Sequence, residues 1–270
     1  MKKNFKYFLF KNTFLFWVLS FSYFNSIGQK IVLPGINQLE SLMPNLTGKK
    51  IGVVAHQASL FSDSYKNQHL VDFLLQNEID VEKVFAPEHG FRGKADAGEK
   101  IKTEKDKKTG LKIISLYGKN RKPSVEQLKG IEIMIFDLQD VGVRFYTYLS
   151  TLHYVMEACA ESNISLLVLD RPNPNIHYID GPLLEPSFKS FVGMHPVPIV
   201  YGMTIGEYAK MINGEGWLKN KIKVKLNIIP VKNYSRKTSY ELPIRPSPNL
   251  PNSKAIALYP SLCLMEPTVY

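Results

Sequence analysis

The chain has 270 residues, of which 44% are hydrophobic, and a formal net charge of +10. This composition excludes a disordered protein and suffices for one large core or two smaller ones. The basic residues are scattered, without the motifs of nucleic-acid-binding proteins, so we expect no nucleic-acid partner. An anionic polymer or surface outside the cytoplasm suits the positive charge better.

Residues 1–28 are predicted to be a signal peptide. Lysines without acidic residues precede a Phe-rich apolar run, and the small residues Ser26 and Gly28 suit a signal peptidase. We therefore expect export to the periplasm or the outside, with Gln29 as the mature N-terminus and no membrane span after cleavage. An uncleaved anchor is the alternative, although the run is short for a bilayer span.

Helical and strand patterns alternate after this leader. Apolar periodicity predicts a lead-in helix within 29–48, over 35–45, and helices over 67–76, 124–128 and 148–162. Short apolar runs predict strands over 50–55, 81–85, 111–116, 131–136 and 164–169. This alternation is typical of an α/β fold with a Rossmann-like, mostly parallel sheet that carries helices on both faces.

The composition of the sequence changes after Gly181, where prolines become frequent. We predict a helix capped by Thr204, a strand over 224–229, and a proline-rich crossing segment over 242–251. The predicted domains are therefore a Rossmann-like catalytic domain over 49–210 and the start of a smaller α/β domain over 211–270.

Polar clusters follow the carboxyl ends of the predicted strands, where open α/β sheets bind their ligands. These clusters are His56-Gln57, Glu88-His89, Tyr117, the segment 137–140 and Asp170-Arg171. The first strand-to-helix turn lacks both the Gly-x-Gly-x-x-Gly fingerprint and a P-loop lysine, which argues against a dinucleotide ligand. Isolated histidines and two distant cysteines, Cys159 and Cys263, give no metal-site pattern, so we expect neither metal nor cofactor.

The segment 86–99 is the densest set of reactive groups in the chain. It combines carboxylates, an imidazole and a guanidinium with glycines that permit sharp bends. Paired carboxylates are the usual equipment for glycoside hydrolysis. A solvated ion pair between a loop glutamate and arginine is the alternative.

Sequence motifs in a fixed order identify a family over roughly residues 49–260. They include Pro87-Glu88-His89-Gly90-Phe91-Arg92-Gly93, Ala97-Gly98-Glu99, Ser115-Leu116-Tyr117-Gly118, Asp137-Leu138-Gln139-Asp140-Val141-Gly142-Val143-Arg144, Leu169-Asp170-Arg171-Pro172-Asn173-Pro174, Tyr201-Gly202-Met203-Thr204 and Pro246-Ser247-Pro248-Asn249. With these motifs the chain resembles the exo-acting β-N-acetylmuramidases of glycoside hydrolase family 171, long catalogued as a domain of unknown function. The family continues into further motifs that this sequence lacks, so we expect a C-terminal truncation within the second domain.

The resemblance implies release of terminal N-acetylmuramic acid from the non-reducing end of peptidoglycan fragments, in a cleft between two domains. It makes Glu88 the expected catalytic acid/base. The candidates for a second carboxylate are Glu99, Asp137, Asp140 and Asp170, and the substrate's own 2-acetamido group is an alternative nucleophile. The expected substrate-binding residues are His56, His89, Arg92, Gln139, Arg144, Tyr148, Asp170, Arg171, Asn173 and Asn249.

The lactyl carboxylate of muramic acid calls for a cation with a directional fork, for which Arg92, Arg144 and Arg171 are candidates. Structural ion pairs are the alternative for each arginine. The chain as a whole has a second interpretation, a non-catalytic module that binds peptidoglycan fragments. A serine esterase has little support because no Gly-x-Ser-x-Gly elbow is present.

Overall fold

The structure is a computed structural model that describes residues 30–61, 68–92, 104–262 and 265. The predicted signal peptide, Glu99 and Cys263 lie outside these residues. Cys159 is a buried free thiol, as the apolar sequence around it predicts.

The described residues contain a seven-stranded sheet with the order β3-β4-β2-β1-β5-β6-β7. Its strands are β1 Lys50–Ala55, β2 Asp80–Ala86, β3 Glu104–Lys105, β4 Lys112–Ser115, β5 Ile133–Asp137, β6 Ser165–Leu169 and β7 Leu226–Ile229. Strand β3 pairs antiparallel with β4, and every other neighbouring pair is parallel. The predicted α/β class with a mostly parallel sheet is confirmed.

Helices connect most of these strands. They are α1 Met43–Leu46, α2 Leu70–Gln76, α3 Val125–Leu128, α4 Tyr148–Glu161, α5 Ile205–Gly214 and α6 Ser253–Leu262, with 3₁₀ helices at Gly35–Leu42, Pro186–Phe188 and Lys219–Lys221. Ser124 and Thr204 each begin a helix with a capping box. No helix of the described residues is both long and apolar enough to cross a membrane.

The lead-in helix differs from its prediction because most of it is 3₁₀ rather than α. Ile36 and Leu39, three residues apart, are both fully buried. A 3₁₀ helix has three residues per turn and places such residues on one side, so the pattern fits this helix as well as it fits an α-helix.

The sheet is buried on both faces because successive strand residues enter two different apolar clusters. Aligned across five strands, one row packs with α4 and α5 and consists of Val54, Phe85, Ile114, Phe136 and Val168. The row that precedes it packs with α2 and the first 3₁₀ helix and consists of Val53, Val84, Ile113, Ile135 and Leu167. This arrangement matches the continuous apolar runs of the sequence.

The strand order creates a switch point between β1 and β5. The chain places β2 and β4 on one side of β1, and β5, β6 and β7 on the other. Helix α2, which follows β1, belongs to one apolar cluster, whereas α4, which follows β5, belongs to the other. The segments that leave β1 and β5 therefore diverge to opposite faces, which is the geometry that opens ligand crevices in such sheets.

One strand and one α-helix of the described residues, β3 and α6, were not predicted from the sequence. Both residues of β3 are exposed, so no apolar periodicity marks this strand. Helix α6 contains Pro260 and follows a proline-rich segment, which masks its helical pattern. In addition, β7 pairs with β6 although it lies beyond residue 210, so the sheet extends past the domain boundary that we predict.

Candidate functional site

An open pocket of about 490 Å³ lies beside the carboxyl ends of β2 and β4. Residues from several segments meet there, namely Glu88 and His89, Tyr117 and Arg121, 145–148, 190–192, Ser247, Asn249 and Leu250, and Tyr259 of α6. Among the described residues that line the pocket, Glu88 is the only carboxylate and Arg121 the only arginine or lysine. The walls are otherwise rich in aromatic rings.

Two hydroxyl groups orient the half-buried Glu88 side chain. Thr147 is the N-cap residue of α4 but makes no side-chain cap, and its hydroxyl instead donates to Oε2 of Glu88 at 3.1 Å. Burial and a hydrogen bond with Glu88 raise the pKa of Tyr117 to about 12. The phenol therefore stays protonated, and its O–H donates a hydrogen bond to the Glu88 carboxylate. Glu88 is therefore held in the pocket by two neutral donors.

The backbone turns sharply after Glu88. His89 has a φ of 69° and Gly90 a φ of 79°, so two successive residues adopt the left-handed conformation. This conformation costs a non-glycine residue on the order of 1 kcal/mol and is frequent at functional sites. The turn returns Phe91 to the core, where its ring packs edge-on against His69 at 4.8 Å.

The switch point itself is filled by His56, which follows β1 and is fully buried. The Gln139 N–H donates to Nε2 of His56 at 3.0 Å, so Nδ1 carries the proton and faces the Tyr148 hydroxyl at 3.3 Å. Burial lowers the pKa of His56 well below its usual value, which keeps the ring neutral. These contacts close the crevice between β1 and β5 and leave the open pocket on the β2 side.

Asp137 and Arg171, the residues at the ends of β5 and β6, bind each other. Nε of Arg171 donates to Oδ1 at 2.5 Å and Nη2 donates to Oδ2 at 2.8 Å. Both side chains are almost completely buried, and neither lines the Glu88 pocket. This fork-to-fork geometry is the structural ion pair that sequence analysis gave as the alternative for Arg171.

Comparison with known proteins places the chain in a family. Residues 51–254 match the family described as "Exo-beta-N-acetylmuramidase NamZ, N-terminal". The chain belongs to this NamZ family. It is 43% identical, over 240 residues, to the peptidoglycan β-N-acetylmuramidase NamZ of Bacillus subtilis (strain 168), covering 85% of this chain and 56% of that protein.

Two solved structures of DUF1343 family proteins from Bacteroides fragilis NCTC 9343 share the fold. One superimposes with a TM-score of 0.79 and 47% identity, covering 88% of this chain and 63% of that chain. The other has a TM-score of 0.78 and 33% identity, covering 87% of this chain and 60% of the other. The chain thus spans little more than half the length of these relatives.

Asp140 and Asp170, two further predicted acids of this NamZ-family chain, do not line the Glu88 pocket. Asp140 accepts hydrogen bonds from the Tyr201 hydroxyl and the Gly142 N–H, and burial raises its pKa to about 6. Asp170 accepts bonds from the Thr204 hydroxyl at 2.8 Å and the Gly206 N–H at 2.7 Å, and burial raises its pKa to about 6. Asp170 therefore fastens the N-terminus of α5 to the end of β6.

The remaining candidate arginines are also engaged away from Glu88. Arg92 binds Asp106 at 2.7 Å and Asp72 at 3.3 Å, beside a separate polar hollow of about 450 Å³. Arg144 donates to the carbonyl oxygens of Pro182 and Val197 at 2.9 and 2.5 Å. Neither guanidinium lines the Glu88 pocket.

The predicted polar binding residues divide between wall and core. His89, Tyr148 and Asn249 line the pocket. Gln139 donates to the carbonyl oxygens of Asp140 and Pro172, and Asn173 donates to that of Met203 at 2.8 Å. These last two amides support loops rather than the pocket surface. Among the described residues, no group of three His, Cys, Asp or Glu side chains could hold a metal ion.

Four residues that line the pocket were not predicted from the sequence, namely Thr147, Arg121, Phe145 and Phe191. Arg121 lies in the basic segment 119–122, where nothing distinguishes it from its neighbours. Thr147 precedes a helix and therefore resembles an ordinary cap. Tyr117 stood in one of the strand-end clusters, and its position after β4 was the signal that could have placed it beside Glu88.

Proposed function

We propose that this chain is a glycoside hydrolase that releases terminal N-acetylmuramic acid from the non-reducing end of peptidoglycan fragments, with Glu88 as the acid/base. The observation that carries the proposal is the Glu88 carboxylate in an open pocket, oriented by Tyr117 and Thr147. The named activity of the Bacillus subtilis relative, which cleaves at N-acetylmuramic acid, supports the choice of sugar.

The chemistry follows from the position of Glu88. A protonated Glu88 donates its proton to the leaving glycosidic oxygen, and the resulting carboxylate then takes a proton from the attacking water. The hydroxyls of Tyr117 and Thr147 bind the carboxylate form and hold it in one orientation. The rings of Phe145, Tyr146 and Tyr259 supply flat surfaces against which a sugar ring can stack.

We do not expect Asp137, Asp140 or Asp170 to supply the second group of the reaction, because none of the three lines the Glu88 pocket. Each carboxylate oxygen of Asp137 accepts a hydrogen bond from Arg171, and Oδ2 of Asp140 accepts hydrogen bonds from the Tyr201 hydroxyl and the Gly142 N–H. Glu99 and the substrate's 2-acetamido group remain as the proposed partners of Glu88. A retained anomeric configuration in the first product, read by proton NMR, is expected for either partner acting as nucleophile.

The test is release of a chromogenic phenol from a β-N-acetylmuramic acid glycoside by residues 29–270 and by the Glu88→Gln variant. We expect the variant to lose about 10²- to 10⁴-fold of the rate, because general acid catalysis contributes that much. Glu126→Gln, an exposed glutamate on α3, is the matched control and should keep the full rate. A Glu88→Gln variant that keeps more than a tenth of the wild-type rate would contradict the role of Glu88.

The alternative of a non-catalytic binding module makes a different prediction in the same experiment. Such a protein would bind peptidoglycan fragments with equal affinity as wild type and as Glu88→Gln, and neither would release the phenol. Hydrolysis that disappears in the variant while fragment binding persists supports the enzyme.

We also propose that the protein is exported to the periplasm or the outside, on the leader pattern of residues 1–28. Expression of the full sequence in a Gram-negative host should yield a mature chain that begins at Gln29. Recovery of the intact leader in the membrane fraction would instead indicate an uncleaved anchor.

A further inference from the structure

Arg121 is a cation on the wall of the Glu88 pocket that sequence analysis did not single out. It is exposed, and its guanidinium carbon lies 4.2 Å above the centroid of the Phe191 ring. This is a cation–π contact, which holds the plane of the guanidinium over the ring face. No hydrogen bond joins the N–H groups at the edge of that plane to another described residue, so they can bind a ligand in the pocket.

The other arginines that follow the strand ends cannot serve this pocket. Arg171 is bound to Asp137, Arg92 to Asp106 and Asp72, and Arg144 to backbone carbonyl groups. No ion pair of Arg121 occurs within the described part of the chain. Arg121 is therefore the described guanidinium that can offer its fork to an anion beside Glu88.

The position of Arg121 relative to Glu88 suits a substrate that carries one anionic substituent. The charge of Arg121 reaches Tyr117, whose hydroxyl bonds to Glu88, so cation and carboxylate share one pocket. N-Acetylmuramic acid differs from N-acetylglucosamine by a lactyl ether that ends in a carboxylate. Recognition of that carboxylate by a planar fork would distinguish the two sugars.

We propose that Arg121, positioned by Phe191, binds the lactyl carboxylate and selects muramosides over glucosaminides. The inference rests on the proposed function and assigns its specificity to one side chain. Phe191 acts as a positioning residue because its ring orients the guanidinium. Arg121 touches the substrate and contributes to specificity rather than to proton transfer.

The experiment compares kcat/KM for the chromogenic β-glycosides of N-acetylmuramic acid and N-acetylglucosamine. We expect Arg121→Gln to lower kcat/KM for the muramoside by about 10- to 100-fold, because the lactyl carboxylate loses one charged hydrogen-bonding partner. The value of kcat/KM for the glucosaminide should change by less than about twofold. Arg121→Lys, which keeps the charge but loses the fork, should fall between wild type and Arg121→Gln. Phe191→Leu should lower the muramoside value by a smaller factor.

The matched control is Lys119→Gln, which removes one positive charge two residues away from Arg121 without touching the pocket lining. This control separates local recognition from the general attraction of an anionic substrate. Equal losses for both glycosides, an unchanged muramoside value in Arg121→Gln, or the same loss in Lys119→Gln would each overturn the assignment.

Failure of the proposed function is distinguishable from failure of this assignment. If wild type cleaves neither glycoside, binding of free N-acetylmuramic acid and N-acetylglucosamine is measured by calorimetry on wild type and Arg121→Gln. A preference for N-acetylmuramic acid that disappears in Arg121→Gln supports the assignment without catalysis. Absence of a preference in wild type, or its persistence in the variant, refutes it.

Discussion

One edge of the sheet carries carboxylates with opposite surroundings, namely Glu88 after β2, Asp137 at the end of β5 and Asp170 after β6. Glu88 is half-buried in an open pocket and receives two neutral hydroxyl donors. Asp137 and Asp170 are buried, one against a guanidinium and the other against a helix N-terminus. The end of a strand therefore fixes where a carboxylate lies, and the loop that follows determines whether it faces the pocket or the core.

The switch point explains this division. At the ends of β1 and β5, where a crevice would be expected, His56, Gln139 and Tyr148 fill the space. Asp137 and Asp140, which belong to the same end of β5, are therefore buried. On the β2 side, a left-handed turn at His89 and Gly90 follows Glu88 and returns Phe91 to the core, and an open pocket lies beside Glu88.

The largest effect on stability is expected at the buried pair. Asp137→Ala leaves the Arg171 guanidinium buried without its partner, which typically costs about 3–5 kcal/mol of unfolding free energy. Urea denaturation followed by circular dichroism measures this change in unfolding free energy. Glu88→Ala is the control and should change the unfolding free energy by less than about 1 kcal/mol. A similar cost in both variants would remove the contrast between core and pocket acids.

Asp140 should make stability depend on pH. Its pKa is about 6 in the folded protein and about 3.9 when unfolded. The folded state therefore binds the proton more tightly, so this contribution to stability is complete below about pH 4 and is lost as the pH rises through 6. Asp140→Asn abolishes the titration. The unfolding free energy of Asp140→Asn relative to that of wild type should rise by about 2–3 kcal/mol between pH 4 and pH 7.

Asp106 is the control of opposite sign for Asp140. Burial opposes ionisation of Asp106, but hydrogen bonds from Arg92 and Thr109 prevail and hold its pKa at about 2. The ionised Asp106 carboxylate therefore stabilises the folded state above about pH 4, and this stabilisation is lost as the pH falls through 2. Asp106→Asn should therefore lose stability relative to wild type as the pH rises over that range. If the difference in unfolding free energy from wild type changed with pH in the same direction in both variants, the assigned environments of Asp140 and Asp106 would be contradicted.

A smaller loss is expected at the anchor of α5. Asp170→Ala removes the acceptor of the Gly206 N–H and the Thr204 hydroxyl, which should cost about 1–2 kcal/mol, as for the loss of a helix cap. Hydrogen exchange at the Gly206 amide should accelerate with it. Unchanged exchange at Gly206 would show that Asp170 does not hold this helix end.

The smallest effect is expected at the orienting hydroxyl of the pocket. Thr147→Val keeps the shape but removes the hydrogen bond to Glu88, so the muramoside rate should fall by about 3- to 20-fold with little change in stability. Thr151→Val is the comparison on the same helix, because its hydroxyl donates only to the Thr147 carbonyl among the described residues. Equal rates for Thr147→Val and wild type would show that Tyr117 alone orients Glu88.

Local sequence patterns predict six of the seven strands and place Glu88 just after one of them. Continuous apolar runs such as 131–136 specify strands buried on both faces, and capping residues such as Ser124 and Thr204 specify where helices begin. These signals are local, so they can be read without knowledge of the rest of the chain. The motif around Glu88 follows a strand and was placed correctly at the carboxyl edge.

Which polar residues face the pocket depends on contacts between distant parts of the chain. Asp137 and Arg171 are 34 residues apart and form a buried pair, whereas Arg121 reaches Phe191 across 70 residues. Such contacts depend on strand order and on which face each connection crosses, and a linear pattern does not encode either. The sequence could therefore name the charged groups at the edge of the sheet, but the fold assigned each of them to the pocket or to the core.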